Sequence, residues 1–264
     1  MSARRNQGQH GARRNPLTFA VSMLALLAAW VALAALRGDP AILPMPQAVA
    51  MILWDEAAAG RLWFHLGATL GRVAAGFAIA MTLGTALGLV LGRSARLNEF
   101  AEPWVVVMLN LPALVVIVLC YLWIGLTEAA AVTAVALNKT PMVLVTLREG
   151  VRAMDPAIDE MSRVFGMGWW ARLRHVVAPQ LAPWFAASAR NGLAVIWKIV
   201  LVVEFLGRSN GVGFQIHLYF QLFDIGHVLA YALSFVAVML VVDFGLIQPW
   251  ERHAARWRLS ASPG

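Results

Sequence analysis

Six segments of this sequence are apolar over about 20 residues, the length that an α-helix needs to cross the ~30 Å hydrocarbon core of a membrane. They are residues 17–36, 67–91, 104–124, 127–147, 183–206 and 228–248. Charged residues make up only 13% of the chain, whereas a soluble domain has about 25%. The sequence therefore predicts an all-α, polytopic membrane protein with about six transmembrane helices.

The first of these segments can also be interpreted as a secretory signal peptide. Arg13 and Arg14 precede it, and Ala32 and Ala34 resemble a cleavage site. Its apolar run is longer than the roughly 7–15 residues of a signal peptide. We therefore predict an uncleaved helix over 17–36 that follows an N-terminal tail over 1–16.

Lys and Arg are distributed unevenly between the two sides that six spans define. The N-terminal tail has four, the 92–103 loop two, the 148–182 loop five and the C-terminal tail over 249–264 three. The other side has only Arg37, Arg61 and Arg208. Because basic loops face the cytoplasm, we predict that both termini and the 148–182 loop are cytoplasmic. Topology thus explains the positive charge, and no nucleic-acid partner is implied.

The 148–182 loop contains a predicted amphipathic helix. Asp155-Pro156 is a typical helix start, because Asp caps free N–H groups and Pro fits the first turn. Gly166 and Gly168 then end or bend the helix. From these residues alone, a plain connecting helix and a docking element for a soluble partner both remain open. The apolar residues that repeat at helical spacing are Ile158, Met161, Val164 and Phe165.

The same loop has a spaced motif: Glu160-Met161-Ser162, three residues, Gly166, nine residues and then Val176-Val177-Ala178-Pro179. It resembles the EAA motif of ABC importer permeases, which has two alanines after the Glu and ends in I-x-L-P. Other segments are similar to the nitrate/sulfonate/taurine branch of that family. They include Leu43-Pro44-Met45-Pro46, Leu70-Gly71-Arg72-Val73 and Gly211-Val212-Gly213.

The resemblance implies a permease transmembrane domain over 37–248 in a bacterial plasma (inner) membrane. It implies that a coupling helix at about 156–170 docks on a cytoplasmic ATPase. It further implies a second permease copy and an extracytoplasmic binding protein. ATP and Mg are used by the partner ATPase, and this chain, which has no phosphate loop, binds no cofactor. The coupling residues that the motif implies are Glu160, Met161, Ser162, Gly166 and Pro179.

Ionisable residues at membrane depth are costly and suggest a functional site. Lys139 and Lys198 lie in predicted spans at similar depths, where the family has apolar residues. We predict that both face the translocation pathway and contact an anionic substrate, with Asn138 and Asn191 nearby. Alternatively, Lys198 pairs with Glu204 or caps backbone carbonyls. The resemblance favours a sulfonate, nitrate or related anion, although its branch also carries pyrimidine-like precursors.

Other charges in the spans are predicted to be structural. Arg190, Trp197 and Glu204 are spaced by seven residues, so they share one helical face. We interpret Arg190 and Glu204 as structural or gating elements. Arg72, about five residues into its predicted span, is expected to snorkel to the interface.

Two other classes of protein must be considered. A secondary transporter or channel needs no ATPase, but its inverted repeats are not evident in the sequence. A membrane serine hydrolase is suggested by Gly207-Arg208-Ser209-Asn210-Gly211, which matches G-x-S-x-G, but a nucleophile elbow requires a strand before the serine. His217 and His227 lack the spacing of a zinc site. The sequence thus predicts no catalytic residue and no metal ligand, and the Phe214 to Phe223 segment is interpreted as interfacial.

Overall fold

The structure is a computed structural model that describes residues 16–243 and residue 245. Every regular element in this part of the chain is helical, which confirms the predicted all-α class. The predicted C-terminal tail, and all but the last residue of the N-terminal tail, lie outside the described residues. The elements are α1 (Pro16–Arg37), α2 (Pro46–Ala58), α3 (Arg61–Arg93), α4 (Ala95–Asn110), α5 (Ala113–Ile124), α6 (Glu128–Arg152), α7 (Pro156–Val164), α8 (Trp169–Arg172), a π-helical turn (Leu173–Val177), α9 (Ala178–Gly207), α10 (Val212–Gln221) and α11 (Ile225–Val242).

Four helices in the described part of the chain are long and apolar enough to cross a membrane, namely α1, α3, α6 and α11. Each coincides with one of the six predicted segments. The longest, α3, has 33 residues, which corresponds to ~50 Å. It therefore extends beyond the hydrocarbon core.

Residues 104–124 do not form the one continuous helix that the sequence predicts, because the chain bends there. Residues in this region form α4 and α5, which meet at 97°. The bend lies at Leu111 and Pro112, both of which have extended backbone angles. Proline disfavours helical geometry in the residue before it and cannot donate a backbone hydrogen bond. The two helices count as one span only as a bent pair, and α5 alone has 12 residues.

The predicted segment over 183–206 lies inside α9, which has 30 residues and is ~45 Å long. By composition α9 is not among the apolar spans, since it carries Arg190, Lys198 and Glu204. By length and composition, the described part of the chain thus has four apolar spans, or five if the bent pair is one span, and α9 coincides with the remaining predicted segment. A helix this long and this polar requires partners for its charges.

A row of glycines joins α3 to α6. A Cβ atom added to any of the four glycines of this row would lie within 3.0 Å of a side chain of α6, so the two backbones approach closely. Each glycine meets a residue 59 positions later, which shows that the two helices run parallel and in a fixed register. Small residues in this pattern are typical of membrane helix pairs. The pairs are Gly76 with Val135, Gly84 with Val143, Gly88 with Leu147, and Gly92 with Val151.

The bundle of α3, α6 and α9 has two ends with different coverings. We call one the α10 end: α3 and α6 begin there, α9 finishes there, and α2, α10 and α11 pack around it. The main hydrophobic core lies toward this end and includes Val73, Val135, Val200 and Tyr231. The opposite end is the α7 end, where α7, α8 and the π-helical turn connect α6 to α9.

Candidate functional site

A charge cluster formed by Arg72, Glu128, Glu204 and Arg208 links the helices at the α10 end, and its centre, Arg72 with Glu204, is buried. Arg72 Nη1 donates to Glu204 Oε1 at 2.6 Å. Its Nε and Nη2 donate to the two oxygens of Glu128 at 2.8 and 2.6 Å. The side chains of Arg72 and Glu204 are 4% and 0% exposed. One guanidinium thus joins α3, the first residue of α6 and the last turns of α9.

The remaining polar atoms of Glu204 are also bound. Thr69 Oγ1 and the Gly213 N–H donate to Oε2 at 2.9 and 2.8 Å. Arg208 donates to Glu128 and to the Leu126 carbonyl. A buried carboxylate is tolerated when it is both paired and hydrogen-bonded in this way.

His65 extends this network to the start of α10. The Gly211 N–H donates to His65 Nδ1 at 3.1 Å, so the neutral ring carries its proton on Nε2. Nε2 contacts the side-chain amide of Gln215. The Nε2–H can donate only to an oxygen, so we assign the Gln215 side chain with its amide oxygen toward the ring. In this orientation Gln215 Oε1, which has no other hydrogen-bond donor among the described residues, accepts from His65.

Three expectations about charged residues are corrected by this geometry. Arg72 does not snorkel, because its guanidinium is buried between two carboxylates. Lys198 does not pair with Glu204, whose partner is Arg72. Trp197 and Glu204 share a buried face of α9 as predicted, but Arg190 is exposed, because two steps of seven residues rotate the face by about 40°.

Lys139 is buried at the centre of the bundle. It is 2% exposed, and its Cε lies beside Gly192 of α9, where an added Cβ would come within 3.2 Å. Its ammonium donates to the weak acceptor Met142 Sδ. No carboxylate pairs with it in the described part of the chain. A lysine this buried normally has an anionic or polar partner.

Lys198, the only other lysine of the chain, lies in different surroundings. It is exposed on α9, as are Arg190 and Asn191, whereas Asn138 is half-buried on α6. Gly192 is the residue of α9 that faces Lys139. Lys198 is six residues further along, so its side chain points about 120° away from that direction around the α9 axis. Among the described residues, the two lysines therefore do not share one environment, because Lys139 is buried and Lys198 is exposed.

At the α7 end, α7 begins where the sequence predicts. The Asp155 carboxylate accepts from the Ala157 N–H at 2.9 Å, and Pro156 occupies the first turn. Met161, Val164 and Phe165 are 52%, 80% and 77% exposed, so nothing in residues 16–243 covers the apolar side of this helix. Glu160 is exposed, whereas Ser162 is buried.

Gly166 ends α7 in a Schellman motif. The Met167 N–H donates to the Ser162 carbonyl at 3.1 Å, and the Gly166 N–H donates to the Arg163 carbonyl at 3.0 Å. Gly166 has a φ of 67°, in the left-handed region that other residues adopt only at a cost. The glycine of the motif therefore sets the direction in which the chain leaves α7.

The Val176 to Pro179 part of the motif lies at the junction of the π-helical turn and α9. Val176 and Val177 are buried, and Val177 packs with Val151 of α6 and Leu181 of α9. Pro179 is the second residue of α9 and follows the π-helical turn without a break in the helical backbone. One half of the motif is thus exposed and the other is anchored in the bundle.

The model of the family "binding-protein-dependent transport system inner membrane component" matches residues 80–246 of the chain. RibX, the riboflavin transport system permease protein of Chloroflexus aurantiacus, is 31% identical over 241 residues, which are 91% of this chain and 90% of RibX. This chain belongs to that family of transport permeases.

Other relatives agree with the assignment. TauC, the taurine transport system permease protein of Escherichia coli, is 25% identical to the permease over 91% of this chain and 90% of TauC. SsuC of Bacillus subtilis, whose name assigns it to aliphatic sulfonate transport, is 28% identical over 83% of this chain and 79% of SsuC. The ABC permease resemblance drawn from the motifs is thereby confirmed.

The fold is also that of a solved transporter. The permease aligns with a chain of the inward-facing MetNI methionine ABC transporter with a TM-score of 0.56, 16% identity and coverage of 74% of this chain and 94% of that chain. At this identity the likeness concerns the fold alone.

The G-x-S-x-G segment of the permease does not form a nucleophile elbow. Gly207 ends α9 and Gly211, with a φ of 109°, precedes α10, so helices flank the exposed Ser209 on both sides. His227 instead pairs with Asp224 at 2.7 Å. Within the Phe214 to Phe223 segment only Gln215 is buried, whereas Phe220, Leu222 and Phe223 are exposed, so the interfacial placement of this segment stays a prediction.

Sequence reasoning missed a second cluster at the α10 end of the permease. Glu56 of α2 accepts from Arg61 Nη2 and from the Tyr231 hydroxyl, each at 2.6 Å. The hydrogen bond from Arg61 lowers the pKa of the Glu56 carboxyl below its ordinary value. Glu56 and Arg61 are five residues apart, which is a usable sequence signal, but the Tyr231 partner is 175 positions away.

Proposed function

We propose that this permease is the membrane-spanning subunit of an ATP-driven importer and that α7 is its coupling helix. The main support for this proposal is that the apolar side of α7 is exposed. The Schellman motif at Gly166 fixes the direction in which the chain leaves this helix. Met161, Val164 and Phe165 form a surface that an apolar groove of a soluble partner can cover. ATP and Mg²⁺ belong to that partner, an ABC ATPase.

In this proposal the α7 end faces the cytoplasm and both termini are cytoplasmic. The basic residues of the 148–182 loop support this orientation. The α10 end then faces the extracytoplasmic binding protein, which delivers the solute. The ATPase moves α7, and the motion of α6 and α9 opens the pathway alternately to the two sides.

We further propose that the solute is a small organic anion, such as a sulfonate. Lys139 supports this charge preference, because a buried ammonium without a carboxylate partner in the described part of the chain can bind an anion at little further desolvation cost. The names of SsuC and TauC are in keeping with it. RibX shows that close relatives are named for other solutes.

The exposed face of α9 suggests how the pathway is completed. Asn191 and Lys198 are seven residues apart and lie on one side of the helix. Polar and cationic side chains on a membrane helix face protein or water rather than lipid. We propose that a second copy of the permease covers this face and that the two copies enclose the pathway.

The coupling role can be tested by co-purifying the ATPase with full-length permease. Met161→Glu places a charge in an apolar contact, and we expect about tenfold less ATPase to be captured. The control is Leu97→Glu, which changes a comparably exposed residue of α4. Undiminished capture by Met161→Glu, or equal loss in both variants, contradicts the proposal.

The solute site can be tested by uptake of a radiolabelled sulfonate into vesicles that contain the whole transporter. Lys139→Met keeps the side-chain volume and removes the charge, so we expect about tenfold slower uptake with unchanged ATPase capture. Lys198→Met changes the α9 face that the second copy is proposed to cover, and it is expected to slow uptake as well. Normal uptake by Lys139→Met rejects this site. Accumulation by vesicles containing the permease alone, driven by an ion gradient, rejects the ATP-driven mechanism in favour of a secondary transporter.

A further inference from the structure

Two adjoining cavities open at the α7 end between α3 and the segment that leads into α9. The deeper has a volume of about 360 Å³. Its lining is apolar except for Thr85, and it is closed at the back by Leu147 of α6 and Phe185 of α9. A charged solute gains nothing from such a lining, whereas a hydrocarbon chain does.

The second cavity, of about 550 Å³, carries the charge. Arg93 at the end of α3, Arg163 on α7 and Arg172 on α8 line it together with Trp169. Arg163 also borders a neighbouring cavity with Glu160, so the charge argument depends chiefly on Arg93 and Arg172.

The two cavities are continuous, because Leu89, Leu173 and Val177 line both. Along α3, Thr85 in the deep part and Arg93 at the mouth are eight residues apart, or ~12 Å. An apolar channel therefore leads to a basic mouth at the very end of a membrane helix. Trp169 is exposed at this mouth, and tryptophan side chains are typical of the headgroup level of a membrane.

We propose that this double cavity binds one anionic phospholipid, with its phosphate at Arg93 and Arg172 and one acyl chain in the deeper cavity. Guanidinium groups bind phosphate oxygens through paired, charge-assisted hydrogen bonds. The lipid headgroup joins α3 to α8, so it stabilises one position of the segment formed by α7 and α8 relative to the bundle. The inference goes beyond the proposed function and rests on it only for the leaflet, which is the cytoplasmic one.

The test is native mass spectrometry of full-length permease from micelles with equal amounts of phosphatidylglycerol and phosphatidylcholine. The double variant Arg93→Gln/Arg172→Gln is expected to retain about tenfold less phosphatidylglycerol, since it loses two charge-assisted contacts. The matched control is Arg96→Gln/Arg174→Gln, which removes the same charge from two exposed arginines that do not line the cavities. It is expected to retain phosphatidylglycerol like the unchanged protein.

A second pair of variants tests the cavity without changing charge. Ala86→Trp fills the mouth, since Ala86 lines it, and we expect a similar loss of phosphatidylglycerol. Leu87→Trp, one residue away and not in the lining, is the control and is expected to behave like the unchanged protein.

Three outcomes overturn the proposal. The first is equal loss in the two double arginine variants, which indicates general attraction of anionic lipid to a basic surface. The second is unchanged retention in both Arg93→Gln/Arg172→Gln and Ala86→Trp. The third is retained lipid with lost ATPase capture, which assigns the arginines to the ATPase contact. Lost retention with normal ATPase capture supports the lipid site, and failure of the lipid site leaves the coupling proposal intact.

Discussion

The two ends of the bundle treat their charged and apolar side chains in opposite ways. At the α10 end, Arg72, Glu128 and Glu204 are bound to one another and to Thr69 and Gly213. At the α7 end, Met161, Val164 and Phe165 are exposed, and arginines line open cavities. The α10 end is thus held by buried ion pairs, whereas the apolar side of α7 is exposed in the described part of the chain.

This difference predicts where a substitution costs stability and where it costs function. Removing one partner of a buried ion pair leaves an uncompensated charge and costs about 3–5 kcal/mol. Changing an exposed side chain usually alters the free energy of unfolding by less than about 0.5 kcal/mol. The following four substitutions test that contrast, beginning with the largest expected effect.

Glu204→Ala is expected to lower the free energy of unfolding by about 3–5 kcal/mol, because Arg72, Thr69 and Gly213 lose a buried partner together. Chemical denaturation of the purified permease in detergent measures it. Glu99→Ala, at an exposed glutamate of α4, serves as the control and is expected to be nearly neutral. Equal stability of the two variants shows that the charge cluster does not hold the α10 end.

Gly88→Ala tests the close contact of α3 with α6 in the part of the bundle between its two ends. Its Cβ would lie 2.8 Å from the Leu144 carbonyl oxygen, so α3 and α6 must separate, at a cost of about 2 kcal/mol. Gly71→Ala on the same helix meets nothing within 4 Å and is expected to be neutral or slightly stabilising. The same denaturation experiment compares them, and equal effects contradict the close contact of α3 and α6.

Gly166→Ala is expected to destabilise the α7 segment locally by about 1 kcal/mol, because alanine is disfavoured at a positive φ. Hydrogen exchange of the α7 amides is the measurement, and ATPase capture should fall with it. Gly168→Ala is a close control, since Gly168 has a φ of −59° and open space around it. Matching exchange rates in the two variants exclude a special role for the Schellman motif.

Met161→Glu, the variant that tests ATPase capture, is expected to leave the unfolding free energy within about 0.5 kcal/mol of the unchanged protein. This small effect on stability, combined with a large effect on capture, is the signature of an end that is completed by a partner. A loss of stability comparable to that of Glu204→Ala indicates instead that α7 is part of the folded core.

Local features were predictable from the sequence, and distant pairings were not. The start of α7 at Asp155-Pro156 and its end at Gly166 follow from capping rules that involve neighbouring residues only. The partner of Glu204 does not, because Arg72 is 132 positions away and Lys198, six residues away, was the nearer alternative. Such a choice is made by the contacts of α3 with α9, which no local rule contains.

The bend between α4 and α5 has a sequence signal, Leu111-Pro112, but the continuous hydropathy of the segment hides it. Residues 104–124 are apolar throughout, so hydropathy alone joins them into one span. Leu111-Pro112 lies in the middle and is the cause of the break. Hydropathy indicates whether a segment prefers lipid or water, but it does not indicate where the backbone changes direction. It also predicted a span over 183–206 although α9 carries three charged residues there.

The row of glycines along α3 has a mechanical consequence. Each of the four glycines of this row contacts one side chain of α6, so α3 and α6 cannot slide along one another without breaking all four contacts. The four side chains are Val135, Val143, Leu147 and Val151. The pair therefore acts as one stiff strut between opposite faces of the membrane. Because only residues 153–155 separate α6 from α7, α7 is connected to this pair by a very short segment, and a displacement of α7 acts directly on the end of α6.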